Sequence, residues 1–346
     1  MDKLNNTSKL SVVIPCFNKE DYLIKMISCI MRQTFADWEL ILVDDGSTKE
    51  SFNKVHDFVS TDGRIQHIHR HRLPKNGDTC RNIGMDMAKG EYIIIFDADD
   101  LITDNCFENR VRFMEEHPEC DYATFPSGSF EDGHEEAITH RANYRIEHDI
   151  LYNLLSAKYP FTVWGNIYRR SSLHDIRWDE HVYVYQDFDF MVQCAMANLK
   201  HEWALEYEDD YYYRIFRNGN SVCSNFISKE KCDSTLYLFD KTLKSISFLE
   251  NRKCYYKAFR RFIVIHFERL VLGRMINEAE DYCQLLSQYY PDSFISELEN
   301  IISICNKTSS DKVMKIKLHY NLYKKFHISL YKSCLIHEIV KFVLFK

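Results

Sequence analysis

Tyr92-Ile93-Ile94-Ile95-Phe96-Asp97-Ala98-Asp99-Asp100 is the stretch that decides the fold. A run of β-branched and aromatic residues stops abruptly in acid. The run is bounded upstream by Lys89-Gly90-Glu91 and is too short and too β-rich for a helix. It reads as a buried strand. Three carboxylates at the end of such a strand repel one another and lose solvation. A cation should sit there, and a hard divalent ion is the usual answer. In open α/β sheets, ligands bind in the crevice beyond the strands' carboxyl ends. The stretch therefore points to a metal, and through it an anionic ligand, at one sheet edge. The plainer alternative is a solvated, Asp-rich turn.

Upstream, strand and helix patterns alternate. Leu10 to Pro15 is a strand, and Glu20 to Arg32 carries Leu23, Ile24, Ile27, Ile30 and Met31 at helical spacing. Leu40 to Val43 is a second strand, Phe52 to Val59 a helix, and Ile65 to Ile68 a weaker strand. Asp78 to Lys89 is a helix, with Gly90 expected as its C-terminal stop. This spacing predicts an α/β fold, a mostly parallel sheet with helices on both faces. No Gly-x-Gly-x-x-Gly follows the first strand and no P-loop pattern occurs. Phosphates would have to be held by a metal and side chains.

Composition narrows the classes. The chain has 346 residues and a net charge of −7, which argues against nucleic acid as a partner. Its 12 cysteines form no Cys-x-x-Cys pair and read as free thiols of a reducing, cytoplasmic compartment. The polar N-terminus carries no apolar signal region, and no apolar run approaches the ~20 residues of a membrane span. His67, His69 and His71 alternate along one strand face, a spacing that can ligate zinc, but Arg70 and Arg72 flank them. A solvated strand end is the expectation there.

Parallel topology brings the strand ends together. They offer Pro15-Cys16-Phe17-Asn18, Asp44-Asp45-Gly46-Ser47 and Asp97-Ala98-Asp99-Asp100, with Asn76 to Gly84 between them. An aromatic ring, a carboxylate, an arginine and an acid pair suit a nucleoside diphosphate.

Ser11 to Asn18, Leu40 to Thr48 and Arg81 to Asp100 resemble the N-terminal half of the family 2 glycosyltransferases, of GT-A fold. The resemblance implies a nucleotide-sugar donor at this edge. Asp45 matches the aspartate that contacts the base. Phe17, after Pro15, matches an aromatic position beside the base, and Arg81 a basic position of the family pattern. Asp97 and Asp99 match the Asp-x-Asp metal motif for Mn2+ or Mg2+, with Asp97 also near the donor and Asp99 the closer match to the ligand.

Further on, Thr162 to Arg170, Ile176 to Glu180 and Tyr185-Gln186-Asp187-Phe188-Asp189 resemble the family's acceptor segment. Asp187 takes the general-base position and Gln186 stands where the family usually has Glu. Asp189 is the minor option, and a helix cap at Asp187 is the alternative role. Tyr211 to Arg217 resembles the strand closing the family domain, with Arg214 or Arg217 within reach of a diphosphate. An edge strand rich in tyrosine is the duller account.

Beyond residue 228 the alternation gives way to helical patterns, Ser234 to Leu249 and Tyr255 to Leu272. Residues 1–228 are expected to form the catalytic domain and 229–346 a helical region with a basic tail. From Asp311 to Lys346 there are eight lysines against Asp311 and Glu338. An amphipathic pattern from Ile328 suggests either a helix packed on the protein or one lying on an anionic membrane surface at the inner face of the cell membrane. The implied activity is metal-dependent, inverting transfer of a sugar to a glycan or lipid-linked glycan acceptor, in capsule, lipopolysaccharide or other surface polysaccharide synthesis. The alternatives are a sugar-phosphate nucleotidylyltransferase, whose Gly-rich loop is missing after the first strand, and an inactive nucleotide-sugar-binding scaffold.

Overall fold

The computed structural model describes residues 8–140, 149–158, 161–216 and 228–307. In chain order these form β1 (Leu10–Cys16), α1 (Glu20–Met31), β2 (Trp38–Asp44), α2 (Lys49–Val59), β3 (Ile65–His69), α3 (Gly77–Met87) and β4 (Tyr92–Ile95). Then come β5 (Leu101–Ile102), α4 (Cys106–Glu116), β6 (Tyr122–Thr124), β7 (Ser127–Glu131), β8 (Thr139–His140) and α5 (Ile150–Leu155). β9 (Asn166–Arg169), α6 (Gln186–Met196), β10 (His201–Trp203) and β11 (Tyr211–Ile215) follow. Four helices close the described chain: α7 (Lys229–Ser247), α8 (Arg252–Leu272), α9 (Ile276–Leu286) and α10 (Asp292–Asn306).

The chain divides into two compact units. The first comprises the described residues of Met1–Glu147 and Tyr159–Ser224, the second those of His148–Lys158 and Asn225–Lys346. The first unit is built on a seven-stranded sheet of order β10-β6-β9-β4-β1-β2-β3. β1 runs parallel to β2 and β4, and β2 parallel to β3, while β9 is antiparallel to its neighbours β4 and β6. The α/β, mostly parallel architecture is as the alternation requires. β2 is buried along its whole length and β4 likewise, because helices cover both faces, so their sequences read as continuous apolar runs. A second, four-stranded sheet has the order β5-β11-β7-β8.

Close packing sets α3 against β1. A Cβ on Gly84 would lie 2.3 Å from Val13 Cγ1. Gly90 is not the helix stop: α3 ends at Met87 with Ala88 as its cap. A Cβ at Gly90 would fall 2.6 Å from the Ser11 amide, so glycine is required there by strand approach rather than by helix termination. β11 is not an edge strand either, lying between β5 and β7.

The second unit gathers α5 with α7, α8, α9 and α10. Its core holds Leu238, Phe239 and Leu243 of α7, Phe259, Phe262 and Phe267 of α8, and Leu286 and Leu298 beyond. Phe239 meets Phe259 and Phe262 edge-on at 5.1 and 5.5 Å, a favourable aromatic geometry. Among the described residues no helix is long and apolar enough to cross a membrane. The basic tail from Asp311 lies outside the described residues.

Candidate functional site

β1 and β2 deliver their last residues side by side, with Cys16 paired in register to Asp44. The loops beyond are tied together. Asn18, at φ 46°, donates its amide to Ser47 Oγ at 2.9 Å and accepts from the Thr48 amide at 2.8 Å. Asp44 is turned inward, and its Oδ2 accepts from the Gly46 and Ser47 amides at 2.9 and 3.0 Å. That bonding shapes the turn that carries Asp45. Asp45 holds Arg70 Nε at 2.7 Å. Phe17 is 44% exposed, and the Lys75 ammonium lies 4.2 Å from its ring centroid. An exposed ring beside a carboxylate is a surface on which a flat base can stack.

The acids after β4 part company. Asp97 and Asp99 keep accessible side chains, at 29% and 16%, while Asp100 is buried. Asp97 holds Arg81 Nη2 at 2.9 Å and Asp99 holds the Lys19 ammonium. Asp100 instead accepts from the Tyr211 hydroxyl and, at 2.7 Å, from the Arg214 amide. Burial, with Asp97 and Asp99 nearby, pushes its carboxyl well above the usual range. The third acid is thus a structural pin to β11. Arg214 is no diphosphate ligand: it is fully buried, bonded to the Asp99 carbonyl at 2.6 Å and to Asp132 and Glu135 at 2.9 Å. Arg217 lies outside the described residues.

α3 begins where Asn76 accepts from the Thr79 amide at 2.8 Å. Its first turns carry Asp78 and Arg81, and Arg81 reaches Asp97. Arg81 forks between Asp78 and Asp97, each at 2.9 Å, and its guanidinium lies over the Trp178 ring at 4.5 Å. Asp78 is fully buried, and burial, only partly offset by Arg81, raises its carboxyl to about 7.

Asp187 joins this group from α6. It does not cap the helix: α6 starts at Gln186, and the capping position belongs to Tyr185 at φ 63°. Asp187 is half-buried on the first turn of α6. Desolvation raises its carboxyl to about 6, opposed by Arg81 and reinforced by Asp97. Asp189 is more deeply engaged, its Oδ2 accepting from Gln193 Nε2 at 2.8 Å. The segment before α6 is clasped to α3. Asn82 donates to the Trp178 carbonyl at 2.9 Å, and Glu180 receives Arg72 and Asn82, the latter at 2.8 Å.

Asp97 and Asp99 suit a hard divalent ion. They are oxygen donors, accessible, and each already faces a cation of the protein, so the pocket is built for positive charge. The one group of three or more ligand-type side chains that come together among the described residues is elsewhere, Cys16, Asp44 and His67, with ligand atoms within 4.8 Å. Asp44 there is committed to its turn, and burial holds the Cys16 thiol up and His67 neutral, at about 4. Phe52 stacks on both His67 and His69, at 4.2 and 3.7 Å, so these histidines pack as aromatic surface.

Of the residues singled out in the sequence, Arg81, Asp97 and Asp187 converge electrostatically, Asp99 sits beside Asp97, and Phe17 and Asp45 flank them on the β1 and β2 loops. Pro15 sits within β1, paired with Val43. Lys19 and Asp78 were not singled out. Lys19 follows the Phe17-Asn18 turn directly, which is the signal that marks it; Asp78 carries none, since a helix-start Asp is ordinary.

The sequence profile described as Glycosyl transferase family 2 matches residues 11–177. The glycosyltransferase GlyG of Streptococcus pneumoniae is 38% identical over 108 residues, 31% of this chain and 35% of that protein. The minor teichoic acid biosynthesis protein GgaB of Bacillus subtilis is 26% identical over 264 residues, 74% of this chain and 28% of that protein. The matched stretches thus span about a third or less of these relatives' own length. A crystal structure of S. aureus TarS residues 1–349 in complex with UDP-GlcNAc superimposes with a TM-score of 0.65 at 18% identity, covering 94% of this chain and 93% of that one.

Proposed function

Through residues 11–177 the chain belongs to the family 2 glycosyltransferases, and on that premise we propose that it is a metal-dependent, inverting transferase. It moves one sugar from a nucleotide-sugar donor to a glycan acceptor in surface polysaccharide synthesis. The observation that carries this reading is the electrostatic convergence of Asp187, Arg81 and Asp97, next to Asp99.

Each residue has a task there. Phe17 offers its exposed face to the base, and Asp45 accepts from the base or ribose. Arg81 supplies a fixed positive charge to the diphosphate. Asp97 and Asp99 would hold Mn2+ or Mg2+, which when bound neutralises the leaving diphosphate. Asp187 takes the proton of an acceptor hydroxyl as that oxygen attacks the anomeric carbon from the face opposite the diphosphate. A single displacement inverts the centre. A carboxyl near 6 is ionised at neutral pH yet a stronger base than an ordinary aspartate. The neighbour's bound UDP-GlcNAc and the teichoic acid name of one relative support a nucleotide-sugar donor and a surface-polymer acceptor.

We assign the sheet unit within residues 1–228 to catalysis and residues 229–346 to a helical region whose basic tail either packs on the protein or brings the enzyme to an anionic, cytoplasmic membrane face. The experiment is a panel of nucleotide sugars with and without Mn2+. Donor hydrolysis or transfer that stops in chelator, with product of opposite anomeric configuration, is expected. Full turnover in chelator overturns the metal assignment, and retained configuration overturns the single displacement. Binding without any turnover favours the scaffold.

A further inference from the structure

Each accessible acid after β4 already carries one positive side chain. Asp97 has Arg81, which is anchored on its other side by Asp78 and covered by Trp178. Asp99 has Lys19, whose situation differs. Lys19 stands at the junction of the β1 loop and α1, and its side chain is 38% exposed. Among the described residues its ammonium meets Asp99 Oδ2 and faces Phe216, 5.2 Å from the ring centroid. Arg81 is locked, whereas Lys19 is a flexible, solvated cation resting on the oxygen that a metal needs.

An ammonium and a divalent ion held by the same carboxylate repel each other strongly in a half-buried site. Metal binding at Asp99 therefore weakens the Lys19 contact. Once released, Lys19 remains tethered one residue from Asn18 and two from Phe17. The nearest new anion would be the donor's diphosphate.

We propose that Lys19 is a counter-ion that exchanges partners. It neutralises Asp99 before the metal arrives and binds the nucleoside diphosphate afterwards. This rests on the transferase reading above. It makes Lys19 a donor-binding residue and makes metal and donor binding cooperative, since each removes the obstacle to the other.

The two halves give opposite signs for one substitution. The full-length Lys19→Met variant, titrated with Mn2+ alone by calorimetry or paramagnetic resonance, should bind the ion about 10-fold more tightly than wild type, a common size for competitive coupling. At saturating Mn2+ the same variant should bind the diphosphate about 10-fold more weakly, the scale of one charge-assisted hydrogen bond. The diphosphate probe is whichever of UDP, GDP and dTDP wild type binds best. Lys54→Met removes an exposed ammonium paired with Asp21 and should change neither. Unchanged or weaker Mn2+ binding in Lys19→Met overturns the proposal, as does unchanged diphosphate affinity. Wild type that binds neither Mn2+ nor any diphosphate refutes the transferase reading instead.

Discussion

The two units bury polar groups in different ways. In the helical unit the core is aliphatic and aromatic, and several of its buried polar groups find partners close by. The Tyr282 hydroxyl donates to the Cys232 carbonyl at 3.1 Å and lies 3.2 Å from His266 Nε2, while Thr242 bonds a carbonyl of its own helix. In the sheet unit, charge is buried and paired across long sequence separations. Arg110 and Asp210 form a two-pronged pair with both side chains essentially inaccessible. Asp78, Arg81, Asp97 and Asp187 are another charged set, and there carboxylates outnumber the arginine. The Arg110 pair is balanced and serves the fold. The Arg81 set is unbalanced, which on the proposed reading would keep a base poised and leave room for a cation. A helical bundle has little need for either.

Four substitutions sharpen this contrast. Asp187→Asn keeps the shape of the unbalanced set and removes proton acceptance. Steady-state transfer should fall roughly 10²–10⁴-fold with donor affinity nearly unchanged. Its pH signature is specific. The native carboxyl titrates near 6, above the ~3.9 of an unfolded aspartate. Native protein therefore holds more proton than unfolded protein between those values. By linkage, this residue's contribution to stability falls as pH rises through that window, while activity rises. The variant should flatten both slopes in paired denaturation and rate profiles. A collapse of donor binding would make Asp187 structural and Asp189 the next candidate.

Arg110→Met breaks the balanced set. Leaving Asp210 buried without its partner should cost about 3–5 kcal/mol in urea denaturation. A loss within error would show that the pair contributes nothing to folding. Asp99→Ala should lower turnover on the order of 10²–10³ without changing the unfolding midpoint comparably, because an accessible acid leaves no orphaned buried charge. Unimpaired turnover would remove Asp99 from the metal site. The smallest effect is expected in the helical unit. Tyr282→Phe loses hydrogen bonds at a packed position and should cost about 1 kcal/mol, with transfer rates intact. A larger loss of activity than of stability would contradict the division of labour between the units.

Much of the sheet unit was legible in the sequence. The period of two in short β-branched runs, alternating with 3.6-residue patterns, gives strands and helices in order, and parallel order gives the shared edge. The helix from Lys229 and the one from Arg252 follow from the same periodicity to within a few residues. What failed were readings of single residues whose role depends on a distant neighbour. Gly90 looks like a helix stop until Ser11 is placed beside it, and Asp187 looks like a cap until α6 begins one residue earlier. α5 falls within the alternating half of the sequence yet packs with α8.

The acids of the opening stretch show where sequence stops and structure takes over. By itself the sequence determined that a buried strand runs into Asp97, Asp99 and Asp100 at the shared edge of a parallel sheet, because hydrophobic period and strand order are local properties of the chain. It could not rank those acids. Only the tertiary structure decided that Asp100 turns inward to Tyr211 and Arg214, more than a hundred residues away, while Asp97 and Asp99 stay accessible to Arg81 and Lys19. The physical reason is that a carboxylate's role is set by its desolvation and by the charges that face it, and both are supplied by residues that are neighbours in space and not in sequence.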